Sequence, residues 1–503
     1  MIMNGQPDTF PRGSGAKGEH VTVDAGLRRL ALRTLLAAFE GETAPGWATD
    51  LLADGLAGHT LFGFNIVDRP QLAALTALLH DTRPGVLLAI DEEGGDVTRL
   101  AHHQGSPYPG NAALGAVGDV DLTRRIYRTI GAELDGLGLN LNLAPTVDVN
   151  TADDNPVIGT RSFGADPRMV SAHAAAAVAG LQQACVAACA KHFPGHGATI
   201  ADSHHELPTV DVPLDLLRQR DLPPFAAVVE AGAKAIMTAH IRVPVLTGDA
   251  PATFSRPVLV DLLRGELGFT GVIVTDALEM RGAADYAGGI PEAAALSLAG
   301  GADLLCIGHE VDAELVEAVV REIAAAVADG RLPLARVEEA AERVTALGEW
   351  TRQGDRVDQE EPGLGYPAAL GAVRVEGTLD GLGAPLVVQL ESESSIAAGP
   401  VPWGLGPHIN GTEQLRVSAD TITPESLRAH AGARPVVFVG RNMHRLPGAP
   451  ALVEALAETH PVVVVEMGWP SSWRPQRARA FVATFGASHA NGRAAAQTLG
   501  LAA

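Results

Sequence analysis

The stretch "SRPVLVDLLRGELGFTGVIVTD" at residues 255–276 joins two patterns in one unit. Its first part predicts a helix. Ser255 stands as a candidate N-cap, Pro257 falls early, where a missing N–H is no loss, and Gly268 marks the stop. Its second part, "GVIVT", is a short apolar run that ends on an acid, Asp276. Continuous apolar runs of this length are expected of strands buried on both faces, as in a parallel sheet. A helix followed by such a strand is the repeating unit of an α/β fold.

The same unit recurs along the chain. Apolar runs stand at "TLFGFN" (60–65), "GVLLAID" (85–91), "LNLNLAP" (139–145), "VAACAKHF" (186–193), "AKAIMTAH" (233–240) and "ADLLCIG" (302–308). Helical patterns lie between them; Ile126, Ile130, Leu134 and Leu137 repeat at three to four residues. Seven strand signals predict a (β/α)8 TIM-type barrel over residues 25–350, with one weak strand. A doubly wound open sheet is the structural alternative. Residues 351–372 are charged, carry Gly and Pro, show no period and read as a linker. Beyond them "APLVVQL", "RPVVFVG", "PVVVVEM" and "RAFVATFG" read as strands, and "GAPALVEALAETH" as a helix. They predict a second, smaller α/β domain over 373–503. Residues 1–24 are polar, broken by Gly and Pro, and read as a flexible tail.

Bulk properties agree with this division. A chain of 503 residues exceeds what one hydrophobic core usually organises. The balance of 37 basic against 59 acidic residues leaves a net charge of −22, which argues against nucleic acid or an anionic membrane as partner. Cys185, Cys189 and Cys306 are too sparse for a disulfide framework and read as small buried side chains. The first twenty residues lack a basic-then-apolar leader, and no run approaches the roughly 18 apolar residues of a membrane span. A soluble, cytoplasmic protein is the expectation.

In barrels the chemistry sits at the C-terminal ends of the strands. Reading only those ends gives Asp91 and Glu92, Pro145 and Asp148, Lys191 and His192, His240, and Asp276. Several strands thus deliver ionisable groups to one rim. The densest stretch is "KHFPGHGATIADSHHELP" at 191–208, a natural catalytic loop. Within it Asp202 and His204 are two apart, so in an extended segment their side chains share a side. A carboxylate so placed fixes a histidine tautomer and stabilises its cation. His196 reads as a residue that hydrogen-bonds the loop, and His205 as solvated. Two chemistries fit: glycoside transfer with a carboxylate nucleophile and a separate acid/base, or metal-assisted hydrolysis with His192, His196 and His204 converging on an ion.

"KHFPGHG" followed by "DSHHELP" resembles the signature loop of the family 3 β-N-acetylglucosaminidases of the bacterial cell-wall recycling type. "VIVTDALEM" (272–280) is similar to that family's nucleophile segment, and "AIDEEGGDVTRL" (89–100) to its D-x-E-G-G-x-V-x-R segment. "LAPTVDVN" (143–150) and "NPVIGTRSFG" (155–164) resemble two further blocks, in order. The resemblance covers roughly residues 55–345, and the tail "FGASHANGRAAAQTLG" (485–500) resembles the end of two-domain members.

The resemblance implies a retaining exo-glycosidase that releases terminal β-linked N-acetylglucosamine from peptidoglycan fragments or chitin oligomers. Asp276 stands at the nucleophile, His204 at the general acid/base and Asp202 at its partner. Asp91, Arg99, Arg161, Lys191 and His192 stand at positions that hold the terminal sugar. A small carbohydrate is the implied partner; no metal and no organic cofactor are implied. Two positions depart from the pattern: Phe64 stands where the family often has Arg, and Asp96 where a basic residue often follows E-G-G. A phosphorylase is the first alternative, because a neutral histidine repels phosphate less than a carboxylate does. A catalytically silent sugar-binding protein is the second.

Overall fold

A computed structural model describes residues 23–353 and 361–502. Residues 1–22 of the tail expected at 1–24, and residues 354–360 of the linker expected at 351–372, lie outside these described residues. Eight parallel strands form the first sheet: β1 (Leu35–Ala37), β2 (Gly58–Leu61), β3 (Leu87–Ile90), β4 (Leu141–Asn142), β5 (Ala187–Phe193), β6 (Ala235–Thr238), β7 (Val272–Val274) and β8 (Leu305–Cys306). Each pairs with its sequence neighbour from β1 to β7. β1 also pairs with β8, and a bridge between Val274 and Leu304 closes β7 onto β8. The result is a barrel, not an open sheet. The eighth strand, absent from the seven sequence signals, is β1, formed by "LLA" at 35–37.

Every residue of β3 is buried. Leu87 and Ala89 belong to the cluster inside the barrel, whereas Leu88 and Ile90 belong to the cluster under the outer helices. Two buried faces explain why the strand reads as continuous apolar text. The helix Leu334–Gln353 closes the lower end, where Val344 and Leu347 pack with Leu36, Leu87 and Val272. The upper, C-terminal end is left for chemistry.

The expected helix near 255 is present, but Ser255 caps it through its backbone carbonyl, which accepts from Val258 and Leu259. Pro257–Glu266 is wound as a π-helix with no side-chain cap. The helix read from Ile126, Ile130 and Leu134 spans Val120–Gly136; Leu137 is its C-cap. The three cysteines are free and buried.

The second sheet has the order β11-β10-β12-β13-β14-β9, with β9 (Arg374–Gly377), β10 (Leu386–Leu390), β11 (Gln414–Val417), β12 (Val436–Gly440), β13 (Val462–Glu466) and β14 (Ala480–Ala483). It is parallel except for β9, which runs antiparallel to β14 at the edge. Apolar clusters cover both of its faces. β9 and β11 escape the sequence pattern because they are edge strands and neither is buried.

One expectation needs correction. Residues 365–372, read as part of an aperiodic linker, form the helix Gly365–Ala372. Its Ala369 packs against Ala490 and Ala494 of the C-terminal helix His489–Thr498. A side chain at Gly365 would meet the Pro107 carbonyl oxygen at 1.9 Å, so the helix sits directly on the barrel. Small residues with Gly and Pro look like linker text, yet they permit close approach of backbones. Among the described residues, no helix is long and apolar enough to cross a membrane.

Candidate active site

A cavity of about 940 Å³ opens at the C-terminal ends of the strands. Asp91, Arg99, Arg161, Lys191, His192, His204 and Asp276 all line it. Asp202 does not; it stands behind His204. The structure gathers Asp91, Lys191, His192 and Asp276 of the strand-end reading at one cavity, and departs from that reading at one neighbour. Glu93, not Glu92, faces the cavity.

The chain reverses after β3 through Gly94 and Gly95, whose φ angles of +70° and +65° suit glycine. Alternate residues then point alike. Asp91 and Glu93 face the site. Glu92 faces the loop, where it accepts from Thr98 Oγ1 and from the Arg99 and Leu100 amides at 2.9–3.0 Å. Burial pushes the Glu92 carboxyl up to about 7.

Glu93 organises the floor of the cavity. Arg161 donates to it twice, Nε to Oε2 at 3.0 Å and Nη2 to Oε1 at 2.8 Å. Lys191 Nζ lies 2.8 Å from Glu93 Oε1 and donates to Asp91 Oδ1 at 2.6 Å. Burial alone would raise the Glu93 carboxyl, but the charges of Arg161 and Lys191 hold it well below the usual range. All three side chains are buried. Replacing Glu93 by alanine leaves two buried cations with one carboxylate fewer. Breaking a buried pair in this way typically costs about 3–5 kcal/mol. A fall in Tm of the Glu93→Ala protein is the expected result at neutral pH; an unchanged Tm would contradict it. Because the folded carboxyl is depressed, its contribution is full above the ordinary glutamate range and is lost as pH falls.

Asp148, from the loop after β4, does similar work for the histidines. It accepts from His192 Nδ1 at 2.8 Å and from the His196 amide at 2.6 Å. His192 then donates through Nδ1 and presents Nε2 toward Arg161 Nη2 at 3.4 Å. The loop after β5 crosses close above. A side chain at Gly197 would meet the Val149 carbonyl oxygen at 2.0 Å, so only glycine lets it pass. His196 holds the loop through Thr199 Oγ1 at 2.7 Å and faces Ser203 Oγ at 3.4 Å. Burial takes its ring down to about 4. Among the described residues, no group of three or more His, Cys, Asp and Glu is placed to hold a metal ion.

Asp276 follows β7. Its Oδ1 accepts from the Ala277 amide at 2.8 Å, and Oδ2 has no donor among the described residues. His240 Nε2 donates to the Ala277 carbonyl at 3.0 Å and so braces the same turn. Burial works to raise the Asp276 carboxyl, but His192, His240 and His204 outweigh it and hold the group below its ordinary value. Asp276 is thus an anion with one oxygen free.

Asp202 accepts from His204 twice at Oδ1, from the backbone N–H at 2.9 Å and from Nδ1 at 2.7 Å. The pairing leaves Nε2 of His204 available. Burial pulls the His204 ring down, but the bond to Asp202 and the charge of Asp276 more than offset this and raise it. The Asp202 carboxyl is lowered; burial opposes the shift and the bond to His204 drives it.

Arg99 behaves differently from the other expected sugar-holding residues. It lies 3.8 Å from Asp91, and its Nη2 donates to the Ala397 carbonyl at 2.8 Å. Ala397 belongs to the second domain, and residues 396–401 form part of the cavity wall. Asp96 makes a second bridge. One of its oxygens accepts from Thr160 Oγ1 and the other from the Ala487 amide, both at 2.7 Å. The acid at this departure from the family pattern therefore joins the barrel to the second domain.

A closed parallel barrel with carboxylates and an Asp–His pair gathered at its upper rim has the layout in which barrel enzymes carry their active sites. Residues 36–347 match the Glycosyl hydrolase family 3 N terminal domain, and the chain belongs to that family. It is 36% identical over 318 residues to "Beta-hexosaminidase A" of Pseudoalteromonas piscicida, covering 58% of this chain and 53% of that protein. The chain thus spans about half the length of that relative. It is 36% identical over 330 residues to a "Beta-hexosaminidase" of Thiobacillus denitrificans, covering 63% of this chain and 90% of the relative. Among solved structures, a glycoside hydrolase family 3 β-N-acetylglucosaminidase from Paenibacillus sp. superposes with a TM-score of 0.86 at 32% identity, covering 95% of this chain and 97% of the other.

Proposed function

We propose that the protein is a retaining exo-β-N-acetylglucosaminidase acting on chitin oligomers or peptidoglycan fragments. The observation that carries this reading is the pairing, in one cavity, of an anionic Asp276 with a free oxygen and a His204 ring polarised by Asp202. The names of the relatives support the sugar; the geometry supports the roles.

In the first step Asp276 Oδ2 attacks the anomeric carbon while His204 Nε2–H protonates the departing oxygen. The bond to the aglycone breaks as the glycosyl-aspartate bond forms. In the second step neutral His204 takes a proton from water, and the hydroxyl displaces Asp276 from the same face that the aglycone left. Two displacements retain the anomeric configuration. Asp91, Lys191, Arg161, His192 and Arg99 hold the terminal sugar in this reading, and Glu93 keeps the two buried cations in position.

The test is release of the aryl alcohol from an aryl β-N-acetylglucosaminide, with the first-formed anomer followed by proton NMR. Release with β-configured sugar as the first product is expected. No release, or the α anomer first, would sink the reading. Water is the acceptor here, so added phosphate is expected to change neither rate nor product; a sugar 1-phosphate would transfer the role to phosphorolysis.

A further inference from the structure

Three exposed apolar side chains stand at the mouth of the catalytic cavity. Phe64 is 43% exposed, Val67 48% and Ile396 50%, and all three line that cavity. Phe64 stacks on Phe62 with ring centroids 5.4 Å apart and planes 20° from parallel. The stack holds the outer ring in place and leaves its far side to water. Phe64 also lines a second, adjoining cavity of about 490 Å³, whose other walls include Glu40 and Glu42. Glu42 borders both cavities.

The platform is rigidly tied to this acidic rim. Asn65 Oδ1 accepts from the Phe62 amide at 2.9 Å, and its Nδ2 donates to the Phe39 and Gly41 carbonyls at 2.8 and 2.7 Å. One buried side chain therefore fixes the aromatic turn against the turn that carries Glu40 and Glu42. Neither glutamate forms an ion pair among the described residues. The nearby Arg99 guanidinium is committed to Asp91 and to second-domain carbonyls.

An exposed, immobilised ring beside a reaction centre is suited to a ligand with one flat apolar face. A β-linked pyranose with equatorial substituents has such a face, formed by its axial C–H bonds, which meets the negative face of an aromatic ring. Unpaired carboxylates beside it favour a neutral or positively charged occupant and oppose an anionic one.

We propose that Phe64, seated on Phe62, is the platform for the departing sugar, and that Glu42 and Glu40 make this subsite select neutral or amino-bearing aglycones over carboxylate-bearing ones. The proposal rests on the β-N-acetylglucosaminidase reading above and deepens it. Of the two substrate sources named there, it favours chitin-type oligomers, including partly deacetylated ones, over fragments whose second sugar bears a lactyl carboxylate.

The experiment compares three disaccharides that share a terminal β-N-acetylglucosamine. Their second sugars are N-acetylglucosamine, glucosamine, and N-acetylglucosamine carrying a 3-O-lactyl carboxylate. Each kcat/KM is divided by that for β-N-acetylglucosaminyl fluoride, which has no aglycone ring. In the wild type the amino and neutral disaccharides are expected to exceed the carboxylate-bearing one by about threefold to tenfold at low salt, less at high salt. Phe64→Ala is expected to lower the ratio for the neutral disaccharide about five- to tenfold. Phe64→Arg is expected to raise the ratio for the carboxylate-bearing one, and Glu42→Gln to narrow the charge preference. Wild-type turnover of the fluoride with ratios unmoved in both Phe64 variants would overturn the subsite alone. So would a wild-type preference for the carboxylate-bearing disaccharide. No turnover of any donor would overturn the underlying reading and this proposal with it.

Discussion

Asp276→Asn is expected to reduce kcat for an aryl β-N-acetylglucosaminide by about 10⁴-fold or more, since removing a covalent nucleophile removes the whole pathway. Asparagine keeps the size of the side chain and can still accept from the Ala277 amide at Oδ1. The loss is thus one of charge and nucleophilicity, and Tm is the control for folding. A second readout separates nucleophile from bystander. A slow fluorinated donor that accumulates the intermediate should add the mass of one glycosyl unit to a peptide containing Asp276. Full activity of the variant, or labelling elsewhere, would remove Asp276 from its role.

The Asp202–His204 pair carries the second large effect. His204→Ala is expected to lower kcat/KM about 10²- to 10⁴-fold for chitobiose, whose leaving group needs a proton. A nitrophenyl glycoside, which leaves without one, should lose much less in the first step. Equal losses on both substrates would contradict the acid role. Asp202→Asn tests how the ring is tuned. Burial lowers the His204 ring, and the bond to Asp202 and the charge of Asp276 raise it above its ordinary value. The protonated ring serves as acid, so activity falls as pH rises through that raised value. Without the Asp202 carboxylate the ring titrates at lower pH, and the alkaline limb of the kcat/KM profile is expected to move to lower pH. An unmoved limb would place the controlling group elsewhere.

Much of this site is legible before any coordinates. Asp276 stands out because an acid ends an apolar strand, and Asp202 and His204 because two residues of an extended loop share a side. Local patterns of that kind survive folding. Glu93 was missed because strand-end reading stops at the first two residues, whereas alternation continues through the turn and passes over Glu92. Asp148 was read as a rim residue, but its double hold on His192 and the His196 amide depends on two loops meeting. The alternation of Leu87 and Ala89 with Leu88 and Ile90 between two cores is also invisible, since both faces are apolar. The contribution of residues 396–401 has no local signal, for it arises from the packing of one domain on another.

That last feature lies outside the segment that shows the kinship. The segment that matches the family model ends at residue 347, while the wall supplied by the second domain lies at 396–401. The matched segment therefore holds the reacting groups together with Phe64 and Glu42, and one stretch of the cavity rim lies beyond it. An exchange confined to residues 396–401 would recut that rim and leave Asp276, Asp202 and His204 in place. The cavity is thus a joint product of two parts of the chain, only one of which the family match covers.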